Sequence, residues 1–255
     1  MSESDPSEPR RYKPTLLYRF LEYVFVPAVM ATWVRTDVQG RENIPASGPF
    51  IVVSNHVDNN DSYVLGRYMH GVVHYLARPG GMDARWLGRF WKAMAAIPAD
   101  REGLAQALTL LKQGEAVGIY ADGVITPALI QAKAGVAALA VRAGVPVIPA
   151  AVWGTERVRI FPLPNGRRRT VHVRFGPPRT LSRKDVRGIG LQGMADSLMT
   201  DVAAMLPPQY RGYYAAAVAG AAAQTADRSC DAAAQSPGLD ELDRAVSLTH
   251  KDEVR

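Results

Sequence analysis

The chain has 255 residues, of which 47% are hydrophobic, and it carries a net charge of +6. This length and apolar content are enough for one large α/β domain and exclude a wholly disordered chain. A basic balance favours an anionic partner such as a membrane surface, a phosphorylated substrate or a nucleic acid. The single cysteine, Cys230, excludes an internal disulfide and any site built from several cysteines.

Residues 1–34 are predicted to form a polar leader followed by a helical segment at a membrane interface. The leader lacks the short apolar run of a signal peptide. Residues 16–34 are strongly apolar, but two charges and a proline interrupt them, whereas a spanning helix needs about 20 apolar residues. Aromatic side chains inside the segment and basic residues on its flanks suit a helix or helix pair lying in the interface. The alternative is a core helix of a soluble domain.

Strands and helices alternate from residue 37 onward. Short apolar runs bounded by turn residues predict strands, and apolar positions at helical spacing predict helices. The predicted strands are residues 50–55, Val72–Ala77, 116–121, 145–154 and 170–176, and the predicted helices are residues 63–68, 86–97, 102–112, 131–143 and 182–206. The alternation predicts an α/β domain over residues 35–214, with a mixed, largely parallel sheet flanked by helices.

Composition changes after Tyr214, where Ala, Asp, Gln and Ser come to dominate. Residues 215–255 are therefore predicted to be a weakly structured, low-complexity tail with a short helix at 239–248.

A histidine and an aspartate follow the first predicted strand in the pattern N-H-x-x-x-x-D. His56 and Asp61 are five positions apart, too far to stack on one helical face. They can meet if His56 lies on the loop and Asp61 on the next helix, whose start Asp58, Asn59 or Asn60 could cap. The end of a strand is also where α/β sheets place their ligands. The pair is therefore a candidate for general-base chemistry.

Further blocks follow in a fixed order. Arg101 ends the sequence IPADR, Asp122 and Gly123 lie in YADG, and a helix followed by a proline-bracketed strand spans residues 132–156. Taken with the first block, their order and spacing resemble the glycerolipid acyltransferase family, typified by 1-acylglycerol-3-phosphate acyltransferases. The resemblance covers about residues 35–178.

The resemblance implies an O-acyltransferase that uses no bound cofactor or metal. His56 would take the proton from an acceptor hydroxyl or amine, and Asp61 would hold the imidazole in the right tautomer. The acceptor would attack the thioester of acyl-CoA or acyl carrier protein directly. In agreement, the chain has no Gly-x-Ser-x-Gly elbow to supply a serine nucleophile.

The family's substrate-binding blocks are only partly present. Arg101 matches the family's phosphate-binding arginine, and Asp122 and Gly123 stand in its F-P-E-G-T-R-S block. Ile125 occupies the place of a second arginine there, which predicts that lysophosphatidate is a poor acceptor. Lys133, in the next helix, is the residue that could compensate.

These features imply a lipid or lipid-like acceptor and a peripheral or monotopic position on the cytoplasmic face of a membrane, with acyl carrier protein as one possible partner. The alternative is a degenerate family member that binds acyl ligands or serves as a scaffold, because the third block is altered. Nucleic-acid binding is disfavoured, since the basic residues are scattered and no recognition motif accompanies them.

Overall fold

Strands and helices alternate through most of the computed structural model, which describes residues 14–25, 27–28, 34–78, 87–158 and 168–234. The chain divides into two compact units, residues 1–215 and 216–255. The strands of the first unit are β1 (Val34–Gln39), β2 (Ile51–Ser54), β3 (Val73–Ala77), β4 (Ile97–Pro98), β5 (Ala116–Tyr120), β6 (Val147–Trp153) and β7 (Arg169–Phe175). The longer helices are α1 (Leu16–Phe20), α2 (Asp61–Gly66), α3 (Leu87–Ala93), α4 (Arg101–Lys112), α5 (Gly135–Ala143), α6 (Arg183–Met205) and α7 (Ala215–Ala234).

The described strands form one seven-stranded sheet in the order β1-β7-β6-β2-β5-β3-β4. Every neighbouring pair is parallel except β6 and β7, which are antiparallel. The predicted mixed, largely parallel α/β sheet is therefore confirmed. In such a sheet the carboxyl ends of adjacent parallel strands meet at one edge, which is where ligands bind.

Strand β2 lies at the centre of the sheet, between β6 and β5, and is buried throughout. Phe50 and Val52 belong to a core cluster that includes Val64 and Leu65 of α2. Helix α6 packs against β2 and β6. Because side chains alternate between the two faces of a strand, burial on both faces requires the continuous apolar run that made β2 easy to predict.

Two edge strands were not predicted. In β1, Arg35, Asp37 and Gln39 interrupt the apolar positions, and an edge strand with one paired side needs no more hydrophobicity than this. β4 has only two residues, and the prediction included Ile97 in a helix over 86–97. The helix ends at Ala93, and Ala95 then has a φ of +60°, which breaks the helical path.

The starts of α4 and α6 follow ordinary capping chemistry. Asp100 accepts a hydrogen bond from the Gly103 amide at the start of α4, and Ser182 and Asp185 form a capping box at the start of α6. These contacts fix where α4 and α6 begin.

The N-terminal segment contributes little to the core. Helix α1 continues as a π-helical turn over Leu21–Phe25, and Tyr18 is its one buried apolar side chain among the described residues. Leu16 is 85% exposed, and five further large apolar side chains of the segment are exposed, namely Leu17, Phe20, Tyr23, Val24 and Phe25. This distribution does not fit a core helix. Within the described residues, no helix combines the length and apolarity needed to cross a bilayer.

The start of the C-terminal region is helical, because α7 covers Ala215–Ala234 where weak structure was expected. Eleven of its 20 residues are alanine, and alanine has the highest intrinsic helix propensity. The alanine bias thus indicated a helix more than low structure. The short helix predicted at 239–248 falls outside the described residues.

Candidate active site

The candidate site lies at the carboxyl ends of β2 and β5, which are parallel neighbours. His56 stands on the loop after β2, and Tyr120 is the last residue of β5. Asn55 fixes the start of that loop, because its side-chain amide donates to the Val152 carbonyl over 2.7 Å and its oxygen accepts from the Val152 amide over 2.9 Å. The asparagine side chain thereby continues the hydrogen bonding of β2 to β6 beyond the end of the strand.

His56 and Asp61 meet as the spacing predicted, with His56 on the loop and Asp61 as the first residue of α2. Nδ1 of His56 lies 2.9 Å from Oδ2 of Asp61. The His56 side chain is 15% exposed, whereas that of Asp61 is fully buried. Since a carboxylate only accepts hydrogen bonds, this contact requires the proton on Nδ1, and a neutral His56 ring in this position has an unprotonated Nε2.

The Asp61 carboxylate receives three further hydrogen bonds besides that of His56. Its Oδ2 accepts from the backbone amides of Val57 and Asp58, at 2.8 and 2.9 Å. Its Oδ1 accepts from the hydroxyl of Thr155 at 2.5 Å. A buried carboxylate is tolerated when it is fully hydrogen-bonded, and these donors hold the Asp61 side chain in one orientation. The Asp58 carboxylate accepts a hydrogen bond from the backbone amide of Asn60. Asn60 is the N-cap residue of α2, and no side-chain hydrogen bond caps this helix.

One face of the His56 ring is covered by an aromatic side chain. The rings of His56 and Tyr120 are stacked with centroids 3.8 Å apart and planes 8° apart. The hydroxyl groups of Tyr120 and Ser62 lie 2.9 Å apart, and the ring of Tyr75 stacks behind Tyr120 at 5.6 Å. Burial raises the pKa of the Tyr120 phenol well above its usual range, so this group stays neutral.

Asp122 is a second buried carboxyl group near His56. It is 1% exposed, and its two oxygens have no hydrogen-bond partner of good geometry. Burial raises the pKa of Asp122 to about 6, although the charge of His56 and the nearby backbone amides of residues 122–124 act in the opposite direction. Asp122 does not line the cavity described next, so its assignment to substrate binding stays a prediction.

His56 opens onto a cavity of about 810 Å³. Its volume lies within the range of small-molecule sites, and most of its walls are apolar, as is usual for such sites. The larger apolar and aromatic side chains of the lining are those of Tyr18, Tyr63, Val73, Tyr75, Leu76, Trp91, Met94, Leu104, Ile119, Tyr120, Val124, Ile125 and Val136.

Two cationic side chains line the same cavity beside Gly123. The Lys133 side chain passes so close that a Cβ added to Gly123 would lie 3.0 Å from Nζ, and Gly123 also has a φ of +69° that favours glycine. The Nη2 atom of Arg78 is 3.5 Å from the Gly123 carbonyl oxygen. Ile125 lines the cavity too and is 47% exposed. The structure thus brings Lys133, Gly123 and Ile125 together with His56, and it adds Arg78.

Arg101 is placed differently. It is the first residue of α4 and is exposed, and it is not among the residues that line the cavity, although Ala99 and Leu104 on either side of it are. Its assignment to a phosphate stays a prediction. Over the described parts of the chain, no group of three His, Cys, Asp or Glu side chains is arranged to hold a metal ion.

Three residues of the site were not identified from the sequence. Arg78 directly follows the predicted strand at 72–77, so the reasoning that singled out His56 could have found it. Tyr120 was noted only as part of the third block. Thr155 lies 94 positions from Asp61, and no local spacing indicates that contact.

Comparison with known proteins relates the chain to acyltransferases. A family model described as Acyltransferase matches residues 35–153. The 1-acyl-sn-glycerol-3-phosphate acyltransferase of Bacillus subtilis is 32% identical over 123 residues, which are 46% of this chain and 62% of that protein. The chloroplastic enzyme BAT2 of Brassica napus, named as the same type of acyltransferase, is 24% identical over 196 residues, or 73% of this chain and 55% of its own. This chain thus spans little more than half the length of these relatives.

A solved structure shares the fold. The crystal structure of the 1-acyl-sn-glycerophosphate acyltransferase PlsC from Thermotoga maritima matches with a TM-score of 0.56 and 22% identity, covering 73% of this chain and 76% of that one. The stretch that matches the Acyltransferase model contains strands β2 to β6 and the His56–Asp61 pair that follows β2. Over residues 35–153 the chain is thus similar to glycerolipid acyltransferases.

Proposed function

We propose that the protein transfers an acyl group from a thioester to a hydroxyl group of a lipid or lipid-like acceptor, with His56 as the general base. The observation that carries this proposal is the His56–Asp61 pair at the wall of a large, mostly apolar cavity. The pair supplies an unprotonated Nε2, and the cavity has room for apolar chains.

The proposed reaction needs one base and no covalent enzyme intermediate. Nε2 of His56 removes the proton from the acceptor hydroxyl as its oxygen attacks the thioester carbonyl carbon. The new C–O bond forms, the C–S bond breaks, and the departing thiolate takes the proton from the imidazolium. Asp61 stabilises that imidazolium without changing its own protonation, since its remaining lone pairs already accept hydrogen bonds from Val57, Asp58 and Thr155.

The substrates we propose are acyl-CoA or acyl carrier protein as donor and a lipid hydroxyl as acceptor, with an amine as the second acceptor class. Both donors carry phosphate groups, and Arg78 and Lys133 give the cavity positive charge that suits an anionic group of either substrate. The two relatives described above are named for a phosphate-bearing acceptor. Ile125 nevertheless stands in the cavity wall at the position where the acyltransferase block has an arginine, so this wall has one cationic side chain fewer.

We propose that the domain works at the cytoplasmic face of a membrane as a peripheral or monotopic protein. The support is the exposed apolar surface of residues 16–25, next to a polar leader that ends with Arg10, Arg11 and Lys13. Exposed apolar side chains beside basic residues suit an anionic bilayer surface. Tyr18 of the same segment lines the cavity, so an acyl chain entering from the bilayer would have a short path.

The test is to incubate the purified chain with acyl-CoA or acylated carrier protein and a panel of lysolipids and other hydroxyl or amine acceptors, following thiol release and product mass. We expect acceptor-dependent release that is lost in His56→Ala. If acyl ligands bind but no acceptor supports release, the acyl-ligand binding or scaffold function is favoured instead, to which the altered block at 120–126 points.

A further inference from the structure

We propose that Tyr120 is a positioning residue that holds the plane of the His56 imidazole, and that its hydroxyl bond to Ser62 ties this support to the helix that carries Asp61. This inference rests on the proposed function of His56 as general base. It assigns the role to the pair of contacts that Tyr120 makes, a stacked ring on one side and a hydroxyl bond at the other end.

The rings of His56 and Tyr120 are in close stacking contact. At a centroid distance of 3.8 Å and an angle of 8°, Tyr120 covers one face of the imidazole. Rotation of the imidazole about its Cβ–Cγ bond would break this stack and also withdraw Nδ1 from Asp61, which lies 2.9 Å away. The two contacts therefore restrain the same torsion from different directions, and Nε2 is left with one orientation.

Tyr120 is itself held in place by burial and by its neighbours. It is 8% exposed at the end of a central strand, and Ser62, its hydroxyl partner, follows Asp61 in the first turn of α2. The ring of Tyr75 also stacks with that of Tyr120, with centroids 5.6 Å apart and planes 16° apart. Tyr75 can lie there because Gly118 has no side chain: a Cβ at Gly118 would come within 2.3 Å of the Tyr75 ring. Tyr120 is thus held by a second ring and at its hydroxyl.

The chemistry of the Tyr120 phenol suits a positioning role. Tyr120 remains neutral because burial raises its pKa, so its contribution is not proton transfer. The electron-rich face of a phenol ring attracts a cation, so the stack is stronger when His56 becomes an imidazolium. The Tyr120 hydroxyl adds a second point of attachment, because it reaches Ser62 on the helix that carries Asp61.

The experiment compares three substitutions by kinetics and by the ¹⁵N spectrum of histidine-labelled protein, with the His56 signals assigned by their loss in His56→Ala. Tyr120→Leu removes the ring, and misplacement of the base should lower kcat by roughly 10- to 100-fold with little change in KM. Its His56 signal should change from one tautomer, protonated at Nδ1, to a mixture. Tyr120→Phe and Ser62→Ala keep the ring, and each should lower kcat by about threefold or less because the stack itself remains.

Phe175→Leu is the matched control, since it removes a buried ring from the core away from the cavity and should change stability without changing the His56 spectrum. If Tyr120→Leu does not fold, Tyr120→Met keeps the apolar volume without a flat ring and carries the same expectations. A ring-less variant with unchanged kcat and an unchanged His56 spectrum overturns the proposal. The spectrum requires no substrate, so if the wild-type chain transfers no acyl group, the tautomer alone decides whether Tyr120 positions His56, and the proposed function fails separately.

Discussion

The hydroxyl of Thr155 donates to Oδ1 of Asp61 over 2.5 Å, although the two residues are 94 positions apart in the chain. Thr155 follows the end of β6, and Asp61 begins α2 after the neighbouring strand β2. The contact occupies the carboxylate oxygen that His56 does not use. It makes Thr155 part of the support for the His–Asp pair.

Thr155→Val should therefore weaken both the fold and the reaction. Valine has the same shape but leaves a buried, charged oxygen without its partner, which costs about 1.5–3 kcal/mol of unfolding free energy. Urea unfolding and initial-rate measurements would show this, and we expect a smaller loss of activity than in Asp61→Asn. Thr109→Val, on the exposed surface of α4, is the control and should leave both quantities nearly unchanged. Equal behaviour of the two variants would refute the role of Thr155.

His56→Ala should abolish acyl transfer while leaving the fold intact. General-base catalysis contributes about 10²–10⁴-fold, and the His56 side chain is partly exposed, so its loss creates no large core cavity. Asp61→Asn should also be severely impaired, because the imidazole loses its orienting charge. Rates and circular dichroism would be compared with His70→Ala, an exposed histidine away from the site. More than a tenth of the wild-type rate in His56→Ala would contradict the assignment.

Asp122 should make stability depend on pH in an unusual direction. Its folded pKa of about 6 lies above its ordinary value of 3.8, so the folded state binds the proton more tightly. The contribution of Asp122 to the free energy of unfolding is fully present below about pH 4. It is lost as the pH rises through about 6, and the total loss is roughly 3 kcal/mol. Asp122→Asn should be relatively more stable than wild type at pH 7.5 and should not show this loss in urea unfolding between pH 4 and 7.5.

Asp185→Asn provides the comparison of opposite sign. Hydrogen bonds from Ser182 lower the pKa of Asp185, so its contribution is present at neutral pH and is lost only in acid. This variant should lose stability at neutral pH and not gain it. If Asp122→Asn follows wild type across the whole range, the buried carboxyl group is not the source of the pH dependence.

Lysophosphatidate should be a poorer acceptor than an uncharged or zwitterionic lipid hydroxyl. Ile125 lines the cavity where the family has an arginine, and an unpaired phosphate beside it would be costly to bury. The measurement is kcat/KM for each acceptor. Ile125→Arg should raise the use of lysophosphatidate selectively.

If lysophosphatidate is instead the best acceptor of the panel, the argument from Ile125 is wrong. Arg78→Gln and Lys133→Gln then show which cation has taken over the phosphate, because both side chains line the cavity beside Gly123. A selective rise of KM for lysophosphatidate would identify that residue. An equal rise for all acceptors would instead indicate a contact with the donor.

The N-terminal segment should bind anionic vesicles. Replacing exposed Leu16, Phe20, Val24 and Phe25 by serine leaves Tyr18 in place and should reduce sedimentation with phosphatidylglycerol vesicles, as should deletion of residues 1–34. Binding by the wild-type chain should weaken with salt, since Arg10, Arg11, Lys13 and Arg19 contribute electrostatically. Ile189→Ser, at an exposed apolar position on α6, is the control and should bind normally. Unchanged sedimentation of the fourfold variant would exclude this segment as the membrane-binding surface.

The sequence by itself determined the parts of the molecule that depend on local pattern. Central strands such as β2 must be apolar throughout because both faces are buried, so their composition identifies them. The spacing of His56 and Asp61 predicted a loop-to-helix contact, which the structure contains. Edge strands β1 and β4 were not predicted, because a strand with one neighbour needs neither length nor continuous hydrophobicity.

Tertiary structure alone decided which distant residues complete the site. Thr155 and Tyr120 reach the His–Asp pair because β6 and β5 lie on either side of β2, a strand order that no local period encodes. The tertiary structure likewise places Arg78 and Lys133 beside Gly123, whereas Arg101 is not among the residues that line the cavity. The physical reason is that hydrophobic periodicity fixes which face of an element is buried, whereas the contacts of a polar side chain depend on which elements become neighbours in the sheet.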